Sequence, residues 1–70
     1  MFNEIAKIIR AAYFPNENHG TTENPKYWKA TRSMEFYNNG VIGFDRMVRI
    51  LSICCGCSEN DILDTLKGTI

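Results

Sequence analysis

Three cysteines, Cys54, Cys55 and Cys57, crowd the stretch SICCGCSEND, and the chain carries a single histidine, His19. Thiolates and imidazoles bind zinc, and thiols exchange disulfides, so these residues are the first place to look for chemistry. A structural zinc takes a tetrahedral ligand set, usually as two closely spaced pairs. Adjacent Cys54 and Cys55 point to different sides of a helix, and His19 would have to complete the set from a distant loop. An odd number of cysteines without an export signal also argues against a disulfide framework. A redox pair is normally Cys-x-x-Cys at a helix start, whereas this cluster falls at a helix end, where the dipole disfavours a thiolate. The three thiols are therefore read as small apolar fillers at a helix junction, with no metal and no cofactor.

Catalysis has no better foundation. The glycines at 20, 40, 43, 56 and 68 are scattered and form no phosphate-binding loop. His19 lies in a polar loop with no identifiable partner, and Glu35, Asp45 and Asp61 fall on different predicted helices. No nucleophile, base and orienting group can be assembled from them, so the chain is expected not to be an enzyme.

The elements that position these residues are legible from their periodicity. In residues 2–14, Phe2, Ile5, Ile9, Ala12 and Tyr13 recur at helical spacing, with Glu4, Lys7 and Arg10 elsewhere on the wheel. Pro15 stops that helix at Phe14. Residues 15–25, PNENHGTTENP, have no apolar residue besides the prolines and are expected to form an exposed loop. Asn24 and Pro25 open a second helix, and Asn38-Asn39-Gly40 closes it. Its apolar stripe is Tyr27, Ala30, Met34 and Tyr37; Lys26, Lys29, Arg32 and Ser33 form another stripe. A third helix over about 44–55 carries Phe44, Met47, Val48, Leu51, Cys54 and Cys55 and ends at Gly56. Ser58-Glu59-Asn60-Asp61 then caps a fourth, with Ile62, Leu63 and Leu66 inward and Gly68 as its stop. The expected fold is all-α, a compact bundle of about four short helices in one domain over residues 1–70, which the resemblance described below makes helix-turn-helix-like.

Seventy residues bury about 60% of the surface that the unfolded chain exposes, so nearly every apolar contact counts. A hydrophobic fraction of 44% without low-complexity segments belongs to a folded globule. No apolar run is long enough to cross a membrane, and Met1-Phe2-Asn3-Glu4 lacks the basic start of a signal peptide, so the expected location is the cytoplasm. Eight basic and eight acidic residues cancel, but the middle of the chain is mildly basic and its end acidic.

That basic middle bears on binding. Lys26, Lys29 and Arg32, with Arg46 and Arg49 on the next helix, have the character of phosphate contacts. Thr31, Arg32, Ser33 and Glu35 have side chains that read base edges in a major groove. A solvated helix face accounts equally well for the same charges. Trp28 and Phe36 fall off the main core stripe; they either wrap a second side of the core or, together with Tyr37, anchor a protein partner.

Three segments, Ser33-Met34-Glu35-Phe36-Tyr37-Asn38-Asn39-Gly40, Phe44-Asp45-Arg46-Met47-Val48-Arg49-Ile50-Leu51 and Gly56-Cys57-Ser58-Glu59-Asn60-Asp61-Ile62-Leu63, taken in that order, resemble the second half of a phage-repressor/Cro-type helix-turn-helix domain. Ile5-Ala6-Lys7-Ile8-Ile9-Arg10 is similar to that family's first helix. The resemblance places the helix-turn-helix over residues 21–39 and implies that Lys29, Thr31, Arg32 and Ser33 face the groove. One reading is thus a small DNA-binding transcriptional regulator, with Lys26, Lys29, Thr31, Arg32 and Ser33 on DNA. It would be encoded by a phage or mobile element and would act as a homodimer, because one such domain makes few base contacts. The alternative is a protein-binding module without DNA binding, an inhibitor or adaptor of a host enzyme or regulator. It would work through Trp28, Phe36 and Tyr37, and zero net charge and the aromatic load favour it.

Overall fold

Four helices form in chain order: α1 (Phe2–Tyr13), α2 (Pro25–Asn38), α3 (Phe44–Cys55) and α4 (Glu59–Leu66). The computed structural model describes residues 2–67, with side chains from Glu4 onward. Among these residues there is no strand, so the fold is all-α. The third helix spans the predicted residues, and the first ends one residue earlier than predicted. The predicted stop at Gly68 and the Phe2 side chain lie outside what is described.

Local chemistry sets the ends. Phe14 donates its N–H to the Arg10 carbonyl at 2.9 Å as the chain leaves α1, and Pro15 follows at once. Asn24 adopts an extended backbone and its side chain accepts the Lys26 N–H at 3.0 Å, while Pro25 occupies the first turn, where no N–H is needed. At the other end of α2, Val41 and Gly40 donate to the carbonyls of Phe36 and Tyr37 at 2.8 and 3.1 Å. This is a Schellman closure, and Gly40 supplies its left-handed residue at φ 76°. Gly56, at φ 69°, ends α3 in the same way. Two residues later the Ser58 hydroxyl accepts the Asp61 N–H at 3.1 Å, and the Asp61 carboxylate accepts the Ser58 N–H at 3.3 Å, a reciprocal capping box.

The core sits where α1, α2, α3 and α4 converge. Ile5, Ala6 and Ile9 from α1 meet Tyr27, Ala30 and Met34 from α2; Met47, Val48, Leu51 and Cys54 from α3 and Ile62 and Leu66 from α4 complete it. Helix α2 packs chiefly on α3, and α1 bridges α2 and α4. Two expected core positions are corrected. Ala12 is exposed and Ala6 is buried in its place; Tyr13 carries that end of α1 to α4, its hydroxyl 2.9 Å from Thr65 Oγ1. Leu63 is 42% exposed, because Ile62 and Leu66, one turn apart, occupy the inner face of so short a helix. The next residue is rotated by about 100° and falls on its flank.

The segment between α1 and α2 is not a bare polar loop. Phe14 is buried at its start, the Thr22 hydroxyl donates to the Glu17 carboxylate, and the N–H groups of Thr21 and Thr22 share the Asn18 carbonyl at 3.1 Å. It contains no helix, so residues 21–39 form one helix, α2, with a lead-in rather than two helices joined by a turn.

The contrast between Leu51, fully buried, and Ile53, 70% exposed on the same helix, sets a direct test of this core. Leu51→Ala is expected to lose about 2–5 kcal/mol of unfolding free energy, and Ile53→Ala less than about 0.5 kcal/mol. Urea denaturation followed by circular dichroism measures both.

Candidate functional site

Helix α2 is buried along an unusually wide arc. Tyr27, Ala30 and Met34 face inward as the spacing predicts, but Thr31 and Ser33 on either side of that stripe are buried too, 6% and 2% exposed. The placement of Thr31 and Ser33 on a groove-facing polar stripe is therefore corrected: neither can reach a base edge. The cause is packing on two sides at once, with α1 along one flank of α2 and α3 along the other. Ser33 spends its hydroxyl on the Ala30 carbonyl at 2.7 Å, and Thr31 Oγ1 is buried with no hydrogen-bond partner. The remaining predicted DNA contacts, Lys26, Lys29 and Arg32, are exposed.

The aromatic residues separate into two groups. Trp28, 39% exposed, donates its indole N–H to the Thr22 carbonyl at 2.8 Å and lies edge-on to Tyr27, ring centres 5.2 Å apart. It covers the loop side of α2 and keeps part of its ring in solvent. Tyr37 is half-buried, edge-on to Phe44 at 5.7 Å, and acts as core rather than as a surface anchor. Phe36 is 40% exposed on another side of α2, facing α3.

There, between α2 and α3, lies a depression of about 250 Å³ lined by Lys29, Arg32, Ser33 and Phe36 from α2 and by Ile50, Ile53 and Cys54 from α3. Its floor is apolar, and Lys29 and Arg32 stand along the α2 wall. A second, more polar depression, lined by Asp45, Arg46, Arg49 and Glu59, has Ile50 in common with the first and lies beside it on α3. Sequence reasoning singled out Phe36 but missed Ile50 and Ile53. Both lie off the strong α3 stripe, and an isolated off-stripe isoleucine has no signature until the neighbouring helix is in place.

Cys54 is buried in the core, and Cys55 and Cys57 are half-buried against it. Burial pushes the Cys54 thiol up, partly opposed by the nearby Lys29 and Lys26 charges. Cys55 is pushed up to about 12 by burial and by the neighbouring Cys57 and Cys54 sulfurs. All three cysteines are free, and no group of three or more His, Cys, Asp or Glu is placed to hold a metal ion among the described residues. His19 was expected to be a solvated loop residue. Its Nδ1 lies 2.9 Å from the Tyr27 hydroxyl, the only polar atom of an otherwise buried side chain. A buried phenol needing a partner is the signal that would have found it.

Among the described residues no helix is long and apolar enough to cross a membrane. Comparison with protein-family models, with curated proteins and with solved structures gives no match.

Because Cys55 ionises near 12 in the folded chain and near 9.0 in the unfolded one, the folded form holds its proton more tightly. Stability is then fully present below pH 9 and declines as pH rises toward 12. Urea midpoints measured across that range should fall, and Cys55→Ser should flatten part of the decline.

Proposed function

We propose that the protein is a small binding module, an adaptor or inhibitor that docks a partner protein in the depression between α2 and α3. The observation that carries this reading is the convergence of Phe36, Ile50 and Ile53 on one uncovered apolar floor. Single apolar side chains on a surface are ordinary, but several gathered in one concave patch with charged margins favour an interface. Ile53, the most exposed of them, is placed to be covered by a partner.

A DNA-binding regulator of helix-turn-helix type is the second reading, supported by Lys26, Lys29 and Arg32 along the exposed face of α2 and by Arg46 and Arg49 on α3. Three features weigh against it. Burial removes Thr31 and Ser33 from the reading set, and no helix precedes α2 across a short turn. The helix pair that does have a three-residue connection, α3 and α4, ends in a helix bearing Glu59, Asp61 and Asp64, which phosphates would repel.

The two readings separate in one capture experiment on host lysate, with and without nuclease. A partner retained after nuclease, and lost when Ile53→Glu puts a charge on the apolar floor, supports the module; affinity should drop at least about tenfold, roughly 1.4 kcal/mol. Retention that nuclease abolishes, that falls steeply with salt and that weakens on Arg32→Ala would support DNA instead. Circular dichroism checks that each variant remains helical.

A further inference from the structure

We infer that the occupant of the α2–α3 groove is an amphipathic helix of a partner protein whose apolar stripe is flanked by acidic residues; this rests on the docking reading above. The first ground is how little hydrogen-bonding capacity the floor has. Phe36, Ile50 and Ile53 offer none, the Ser33 hydroxyl is already bonded to the Ala30 carbonyl, and Cys54 is a buried thiol. Backbone laid on such a floor must satisfy its own N–H and C=O groups, and a helix does so while an extended peptide does not. Nor do the groove walls, both helical, offer a strand edge for an extended segment to join.

The dimensions agree. Lys29, Arg32, Ser33 and Phe36 lie at successive positions i, i+3, i+4 and i+7 of α2, and Arg46, Arg49, Ile50 and Ile53 repeat the same spacing on α3. The α2 wall is thus about two turns, or roughly 10 Å, long, and the α3 wall, Ile50 to Cys54, is about one turn that Arg46 and Arg49 of the neighbouring depression extend along the helix. That length receives two or three apolar side chains of a docked helix, spaced one turn apart.

Charge selects the flanks. Lys29 and Arg32 border the apolar floor on the α2 side, and Arg46 and Arg49 lie beyond Ile50 on the other. Against these four cations the two neighbouring depressions contain two carboxylates, Asp45 and Glu59. A helix with acidic residues on both sides of its apolar stripe meets cations on both margins, and one with basic flanks is repelled. A nucleic acid would satisfy the cations but leave the apolar floor wet.

The test uses the intact chain and two synthetic helical peptides of about 18 residues, each with Leu at every third or fourth position, one flanked by Glu and the other by Lys. Calorimetry should give saturable binding of the Glu-flanked peptide and at least about tenfold weaker binding of the Lys-flanked one. The doubly charge-reversed variant Lys29→Glu/Arg32→Glu should invert that preference, a recovery that a merely misfolded variant does not produce. Amide shift mapping on the unaltered protein should place the perturbation on Phe36, Ile50 and Ile53, and it decides the matter alone if the variant does not fold. Equal affinity for the two peptides, binding of neither, or perturbation elsewhere overturns the inference. So does displacement of the Glu-flanked peptide by duplex DNA, or an Ile53-dependent dimer seen by sedimentation without peptide, which makes a second copy the occupant. If Ile53-dependent capture of a protein persists while both peptides fail, only the acidic-helix inference is lost. If both fail, the docking reading falls with it.

Discussion

Tyr27 is the side chain on which the rest of the molecule is built. It is 1% exposed, near the start of α2, and both α1 and the loop after it reach it. Phe14 and Trp28 meet its ring edge-on at 5.7 and 5.2 Å. The Arg10 guanidinium of α1 lies over its ring, 5.6 Å from the centre, and His19 reaches its hydroxyl from the loop. An aromatic ring of this size removes a large apolar surface from water, while its hydroxyl demands a partner. In a domain this small one such residue organises the first helix, the loop and the second helix together. The cost shows at Arg10, whose Nε is buried without a hydrogen bond and is compensated by the face of the ring.

The position of Tyr27 in turn determines which side of α2 is left over. With Tyr27, Ala30 and Met34 inward and small polar Thr31 and Ser33 buried on either side of them, the helix keeps its opposite face in solvent. Lys29, Arg32 and Phe36 occupy it on the side toward α3. Phe36 and Ile53 stay largely in solvent at the edge of the α2–α3 contact. The apolar floor is what that contact leaves uncovered.

Helix ends were the most legible part of this sequence, because each rests on one or two residues with a local mechanism. Asn24-Pro25, Gly40, Gly56 and the Ser58 cap all act where their chemistry places them. The interior faces were legible in outline, since period alone locates a stripe but not its width. Ala6, Thr31 and Ser33 became buried, and Ala12 and Leu63 exposed, only through the crossing of a second helix. The candidate site was less legible still. Lys29, Arg32 and Phe36 could be singled out from α2, but Ile50 and Ile53 come from another helix, and a concavity between two helices has no linear pattern. The loop is exposed as read, but the hydrogen bonds that tie it down, such as that of His19 to Tyr27, join residues with no periodic relation and so left no linear pattern.

The indole of Trp28 has one further consequence. It is the chain's only tryptophan, and its N–H is bonded to the Thr22 carbonyl in the loop while its ring rests on Tyr27. Detachment of the loop would put that N–H into water while the ring keeps its contact with Tyr27 on α2. The protein therefore carries an intrinsic fluorophore whose emission tracks the loop separately from the helical content.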